Sequence, residues 1–535
     1  MPGPDLSRAP TRRRRTAVLA AALTAAATLA GCSGGSSGST APANPSDTLN
    51  ILAGSELSDM VPILTAARAA TGVQVNLTYS GSLSGADQIA TSTAGLDAAW
   101  FSSDKYVALA GASTKILDRH SIMLSPVIVG VKQSSATRLG WTGQNVGWAQ
   151  IATAAASGQF TYAMTNPTAS NSGFSALVGV ADALTGNQAL SATNIDVPGL
   201  QGFFSGQSVS AGSSGFLSQA YESGQDKLDG IVNYESVLVG LNKSGQLHEP
   251  LTLVYPTAGI VTADYPVMLL DAAKRTAYNK LVAYLTSPAV QAQIQTQTFR
   301  RAAVPGVPPS PDLYAGLLVE ASFPANLAVT QQLLDDFQSQ IRRPAHTIYV
   351  LDTSGSMDGD RLQRLQKALT GLAGLDTSFS GHFTQFQPRE QVTMIDFSDS
   401  VKNQQTFTID STDPNSASLV AVRDYVDNLS AGGGTAIYSA LSAAVTDADQ
   451  IQASQPDAYV SIVLMTDGEN NEGISANQLL SQISKDPVQT RIYTVLFGEG
   501  SPQQLTQIAN ATNAKVFDAR NADLSTVFKE IRGYQ

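Results

Sequence analysis

The chain has a single cysteine, Cys32, in 535 residues, so no disulfide can form within it and stability must come from buried cores. Charge is also sparse. Only 14% of the residues are charged, and acids outnumber bases to give a formal net charge of −11. Phosphate backbones require a basic footprint, so this balance excludes nucleic acid and argues against electrostatic adhesion to anionic lipid. The four histidines, His120, His248, His346 and His382, are scattered with no zinc-like spacing. Gly432-Gly433-Gly434-Thr435 is not followed by the G-K-[ST] of a phosphate loop. Neither a Ser-His-Asp constellation nor a cysteine nucleophile can be assembled, which points away from an enzyme. The apolar run Thr16–Ala30 has 15 residues, short of the ~20 that a bilayer span needs. What remains is a weakly charged chain, 43% hydrophobic, long enough for three or four domains.

Arg12–Arg15 ahead of that apolar run read as an export leader, suited to the general or the twin-arginine route. Leu29-Ala30-Gly31-Cys32 resembles the bacterial lipobox. The resemblance implies a lipoprotein signal peptide over 1–31, cleavage before Cys32, and lipidation of Cys32. It therefore implies residence on the outer face of the cytoplasmic membrane, with the lipid as anchor. The leader carries five arginines against Asp5 alone, so the mature chain is more acidic still. Residues 32–47, rich in Ser, Gly and Pro, read as a flexible tether. Gly34-Gly35-Ser36-Ser37-Gly38 fits the nucleophile-elbow pattern, but no strand precedes it and it is a chance match.

The chain is organised around Ile348-Tyr349-Val350-Leu351-Asp352-Thr353-Ser354-Gly355-Ser356. A short β-favouring run bounded by a Gly turn reads as a buried parallel strand, and it delivers Asp352 to its carboxyl end. Open α/β sheets place their sites there. Acid and hydroxyl oxygens together suit a hard divalent cation such as Mg²⁺, with Mn²⁺ or Ca²⁺ as alternatives. Downstream, Thr435 opens a helical pattern, and the apolar run Tyr459–Met465 ends in Thr466-Asp467-Gly468. On these residues the chain resembles the von Willebrand factor A (VWA) domain with its metal-ion-dependent adhesion site. The resemblance implies that Ser354, Ser356 and Thr435 ligate the metal directly, while Asp352 and Asp467 act directly or through water. It leaves one position for an acidic side chain of a protein partner. The glycines before Thr435 let backbone curl close to a metal. Strands 391–397, 401–409, 490–497 and 514–518 alternate with helices, which makes a doubly wound, Rossmann-like domain over 346–535.

Between tether and C-terminal domain, strands over 49–53, 73–79 and 96–101 each run into a hydroxyl-bearing turn and a helix, indicating a parallel α/β lobe. Further segments are Ser125–Val131, Thr165–Gly173, Gly230–Ser236 and a helix over Ala277–Gln297. The order resembles the type II periplasmic solute-binding proteins, which implies a two-lobed domain over 48–325 with the second lobe at about 126–250. The candidate ligand groups are Ser55, Ser82, Ser102, Asn166, Ser170, Ser172 and Tyr234; helix capping is the alternative role for each. Glu56, Asp104 and Glu235 fall in the same loops and disfavour an oxyanion, which leaves a cation, a neutral solute or a peptide open. A linker helix over 326–345 carries Leu333, Leu334, Phe337 and Ile341 at helical spacing, a stripe that docks one domain on the other or covers the C-terminal sheet.

Together these readings lead to a membrane-anchored, non-enzymatic lipoprotein that binds a protein partner through a divalent metal at the VWA adhesion site. The alternative is the extracellular solute-binding receptor of a transporter, with the VWA domain docking or regulating it.

Overall fold

The computed structural model describes residues 47–535 other than 187, 322, 325 and 487–489. The leader, Cys32, the Gly34–Gly38 match and the tether up to residue 46 lie outside them. Among the described residues, no helix is long and apolar enough to cross a membrane.

The first lobe is built on a five-stranded sheet of β1 (Thr48–Ala53), β2 (Gln74–Tyr79), β3 (Ala98–Trp100), β4 (Asp118–Ser121) and, returning late in the chain, Pro266–Leu269. Its order is β2-β1-β3-(266–269)-β4, parallel among the first three. The second lobe is built on β5 (Met123–Lys132), β6 (Tyr162–Thr165), β7 (Gln207–Ala211), β8 (Gly230–Tyr234), β9 (Leu251–Val254) and β10 (Thr262–Ala263). With Pro266–Leu269 as β11, the return is completed by β12 (Arg301–Ala302). β5 is the hub of this second sheet: its first residues, Met123–Pro126, pair with β12 and β10, and its remainder, Val127–Lys132, with β8 and β9. The second sheet thus runs past the expected limit at residue 250. The single helix expected over Ala277–Gln297 is two, Arg275–Leu285 and Pro288–Thr298. Pro288 lacks an N–H and cannot continue the first helix, but at the first turn of the second it costs nothing.

The C-terminal domain is a six-stranded sheet of β13 (Ala345–Asp352), β14 (Gln391–Phe397), β15 (Val401–Thr408), β16 (Tyr459–Thr466), β17 (Arg491–Leu496) and β18 (Val516–Asp518). The order is β15-β14-β13-β16-β17-β18, parallel except for the edge strand β15. Side chains of a strand alternate faces, and β13 is buried on both. Tyr349 and Leu351 pack under Leu365, Leu369, Val422 and Phe528, while Ile348 and Val350 pack under Ile437, Leu441 and Leu479. This burial on both sides explains why β13 reads as a continuous apolar run rather than as alternation.

The linker is helical over Leu327–Asp336 and continues as one wide turn, Phe337–Ile341. Leu333, Leu334, Phe337 and Ile341 join the core of the two-lobed domain, and the Phe337 ring lies 4.9 Å from that of Phe204. Of the two roles open to this stripe, docking is the one observed.

Candidate functional site

β13 and β16 are neighbours whose chain connections leave in opposite directions across the sheet, to β14 on one side and to β17 on the other. At such a switch point the loops after the strands diverge and leave a crevice. Asp352 ends β13, and Asp467 follows Thr466 at the end of β16, so both acids stand at its rim. Asp352 Oδ1 accepts from the Ser354 N–H (2.8 Å), and Oδ2 from the Thr466 hydroxyl (2.6 Å). The Ser354 and Ser356 hydroxyls are 3.0 Å apart, and Ser356 Oγ donates to Asp467 Oδ1 at 2.8 Å. Thr435 comes from a distant loop, yet a Cβ placed on Gly468 would lie 3.6 Å from Thr435 Oγ1 and 3.7 Å from Ser356 Oγ. The five residues read from the sequence therefore share one small volume. Asp352, Ser354, Thr435 and Asp467 are buried, and Ser356 is exposed.

The loop bearing Thr435 is held at several points. Gly433 has φ +86° and its carbonyl accepts from the Gly355 N–H at 3.0 Å. The Gly434 N–H donates to Asp399 Oδ1, and the Thr435 N–H to Asn471 Oδ1 at 2.7 Å. Cβ atoms on Gly433 or Gly434 would approach Asp399 within 2.7–2.8 Å, so these glycines permit a close approach of loop to loop.

The donor set fits a hard cation. Asp352 is fully buried and its two oxygens accept from neutral donors. Burial pushes its carboxyl above the usual range, and the neighbouring Asp467 charge adds to this. Two buried carboxylates with three hydroxyls form an oxygen-only donor set, of the kind that suits Mg²⁺ or a related ion. Among the described residues no cluster of three or more His, Cys, Asp or Glu is suited to a metal, so a set of this kind must rely on hydroxyls.

One residue of the site was not legible beforehand. The Arg361 guanidinium bonds Asp467 Oδ2 and reaches the Ser356 carbonyl at 3.3 Å. Nothing in the spacing of Arg361 singles it out from other charges on a helix. Thr466, at the strand end beside Asp467, also belongs to the site through its bond to Asp352. Glu469 and Glu472 lie in the loop after β16 that carries Asn471.

In the two-lobed domain, the candidate ligand groups lie where the lobes meet. The Tyr234 hydroxyl donates to Ser102 Oγ across the lobes (2.8 Å), and Asn171 Nδ2 donates to Ser82 Oγ (3.0 Å). Ser55 Oγ faces Gly215, whose Cβ would be 3.9 Å away. Ser170, Ser172, Thr165 and Ser214 form a buried hydroxyl chain with contacts of 2.7–3.3 Å. Asn166 is different: its Oδ1 accepts from the Thr168 N–H (2.9 Å) and hydroxyl (2.8 Å), a turn-stabilising role. Two of the acids that seemed to oppose an anion are paired, Glu235 with Arg301 (2.7 Å) and Asp104 with Arg119 (2.7 Å). Burial pushes the Glu56 carboxyl up, a trend opposed by the nearby Arg300. Arg300 is itself almost fully buried, pairs with Asp59 at 2.6 Å and lies over the Tyr265 ring.

Comparison with known proteins agrees with this division. Residues 49–300 match the family of bacterial extracellular solute-binding proteins, and residues 348–530 match the von Willebrand factor type A domain. The bovine (Bos taurus) inter-alpha-trypsin inhibitor heavy chain H1 is 23% identical over 173 residues, 31% of this chain and 18% of that protein. The uncharacterized protein sll0103 of Synechocystis is 28% identical over 176 residues, 32% of this chain and 36% of that protein. The chain thus spans well under two thirds of the length of these relatives. Among solved structures, the ferric binding protein from Campylobacter jejuni covers 53% of this chain and 96% of its own at 14% identity and TM-score 0.42. A von Willebrand factor type A protein from Catenulispora acidiphila covers 36% of this chain and 43% of its own at 19% identity and TM-score 0.28. The chain carries a solute-binding domain followed by a VWA domain, in a two-domain α/β architecture.

Proposed function

We propose that this chain is an extracytoplasmic, lipid-anchored, non-catalytic binding protein whose VWA domain captures a protein partner through a divalent metal. Asp352, Ser354, Ser356, Thr435 and Asp467 would hold the ion, with Mg²⁺ the first choice. The observation that carries this reading is the convergence of five oxygen-bearing side chains, from three loops, at the switch point of one sheet. A bound divalent ion supplies concentrated positive charge on an acidic molecule, where it can accept a partner's carboxylate. The chain's own residues have separate tasks. Asp352 and Asp467 supply charge, the Ser354, Ser356 and Thr435 hydroxyls complete the oxygen set, and Thr466 orients Asp352 from behind. The anchor would be the lipid on Cys32.

The test is capture of partners from membranes of the source cell by the full chain, with Mg²⁺ and with EDTA. Capture is expected with Mg²⁺ and lost with EDTA and in Asp352→Ala; capture indifferent to EDTA ends this reading.

A second reading is a solute receptor of a transporter, with the VWA domain docked on it. It is favoured by the hydroxyl groups gathered between the lobes and by the starts of helices Ser82–Thr91, Asn171–Leu184 and Ser214–Gly224 beside them. A small polar solute fits this lining. Calorimetric binding of such a solute by the full chain, abolished by Ser172→Ala with Ser214→Ala, supports it.

A further inference from the structure

The VWA domain rests on both lobes at once. On the first lobe, the Ser380 hydroxyl donates to Asp87 Oδ2 (2.5 Å), and Lys529 Nζ lies 3.9 Å from the same carboxylate. Asp87 belongs to the helix Ser82–Thr91, which begins at one of the loops facing the cleft. Lys529 is fixed in place by Asp376 (2.5 Å) and by the hydroxyls of Ser378 and Ser380.

On the second lobe the foothold is apolar. Tyr534 is fully buried, and its ring meets that of Phe216 edge-on at 5.0 Å. A Cβ on Gly212 would come within 2.8 Å of the Tyr534 ring, and one on Gly533 within 2.9 Å of Ala169. These backbones approach so closely because both positions are glycine. Through Tyr534, the outer core of the second lobe, with Val209, Leu217 and Ile231, is continuous with one face of the VWA sheet. Between the footholds, Gln338 of the linker donates to the Thr168 hydroxyl (2.9 Å) and to the Phe383 carbonyl (2.7 Å). The three bodies enclose a cavity of about 150 Å³, walled by Ser80, Gly81, Thr168, Gly212, Phe383 and Lys529.

We infer that the VWA domain is a latch across the mouth of the solute-binding cleft. Both footholds stand on one sheet domain, Ser380 and Lys529 on helices that pack together and Tyr534 immediately after the second of them. Separating the lobes therefore requires breaking either the Asp87 contacts or the Tyr534–Phe216 contact. Hydrogen bonds that join the lobes directly, among them Tyr234 to Ser102, Asn171 to Ser82 and Tyr106 to the Pro167 carbonyl, then lie behind a closure that the VWA domain controls. Access to the cleft becomes a property of the whole chain, so whatever displaces the VWA domain also admits or releases what the lobes hold. This inference concerns the docking of the domains and does not depend on the metal site.

Hydrogen exchange on the full chain tests it without metal, solute or partner. Asp87→Ala and Phe216→Ala, each on the lobe side of a foothold, are expected to speed exchange in segments 100–106 and 166–172 about ten-fold or more. Exchange in β1 and β13, inside the two cores, is expected to stay as in the unaltered chain. Unchanged exchange in the cleft segments overturns the latch, as does an equal rise in β1, which would report general loosening. Ser380→Ala removes the same bond as Asp87→Ala from the other side, so the two effects should coincide in the double variant rather than add. Additive effects would overturn the Asp87 foothold. Failure here leaves the metal reading standing, and EDTA-insensitive capture would leave the latch standing.

Discussion

At the scale of single residues, the loops that bring Asp352, Thr435 and Asp467 together are the part most legible in the sequence. Asp352 and Asp467 each follow an apolar strand, and Thr435 follows three glycines, so local pattern alone marks all three. Arg361 could not be found this way, because its partner Asp467 is remote in sequence and meets it only in the folded chain. If the site binds Mg²⁺, saturating it at about a hundred times Kd should stabilise the protein by about 2.7 kcal/mol, read as a rise in melting temperature. Asp352→Ala and Thr435→Ala should abolish that rise and weaken metal-dependent capture on the order of 10- to 100-fold without unfolding the domain. His346 gives a separate prediction. It is buried on β13 with Nε2 at 2.8 Å from Thr393 Oγ1, and burial lowers its pKa to about 4. The unfolded chain, with an ordinary imidazole, binds this proton first. The neutral form's contribution is therefore complete above about pH 6.5 and is lost as pH falls towards 4, up to about 3 kcal/mol. His346→Gln should flatten the stability–pH curve over that window, as measured by urea unfolding at several pH values.

At the scale of elements, strands and helices followed from periodicity and turn residues, and the failures have definite causes. The break at Pro288 was written in the sequence but lay inside an otherwise regular helical pattern. The pairing of Glu235 with Arg301 was not written anywhere local, since 66 residues separate them. Sequence reading saw the acids near the cleft but not the cations that answer two of them. Close packing of elements shows the same limit at Gly173. In the helix Asn171–Leu184, a Cβ there would lie 2.2 Å from the Thr165 carbonyl oxygen at the end of β6. Gly173→Ala should push helix and strand apart and cost about 1–3 kcal/mol of stability, measured by denaturant midpoint.

At the scale of the whole molecule, little could be read in advance, because contacts between domains leave no periodic trace. The linker stripe was visible, but which surface it covered was not. A buried junction ties the linker, the start of β14 and the last helix together: Glu390 accepts from Arg342 and, at 2.6 and 2.8 Å, from Arg532. Burial acts to raise the Glu390 carboxyl, yet the Arg532 and Arg342 charges hold it below its ordinary value. Its contribution is thus present above the ordinary glutamate range and lost as pH falls through the lowered value. Glu390→Gln leaves two buried guanidinium groups without their counter-charge and should cost about 3–5 kcal/mol, checked by calorimetry of the full chain.

The many partners of strand β5 carry a mechanical consequence. Because β8, β9, β10 and β12 all pair with this one strand, the sheet of the second lobe hangs together as a single plank rather than as separate hairpins. Its one gap in donors is Pro126, which has no N–H to give and faces Thr262 just where the pairing passes from β10 to β8.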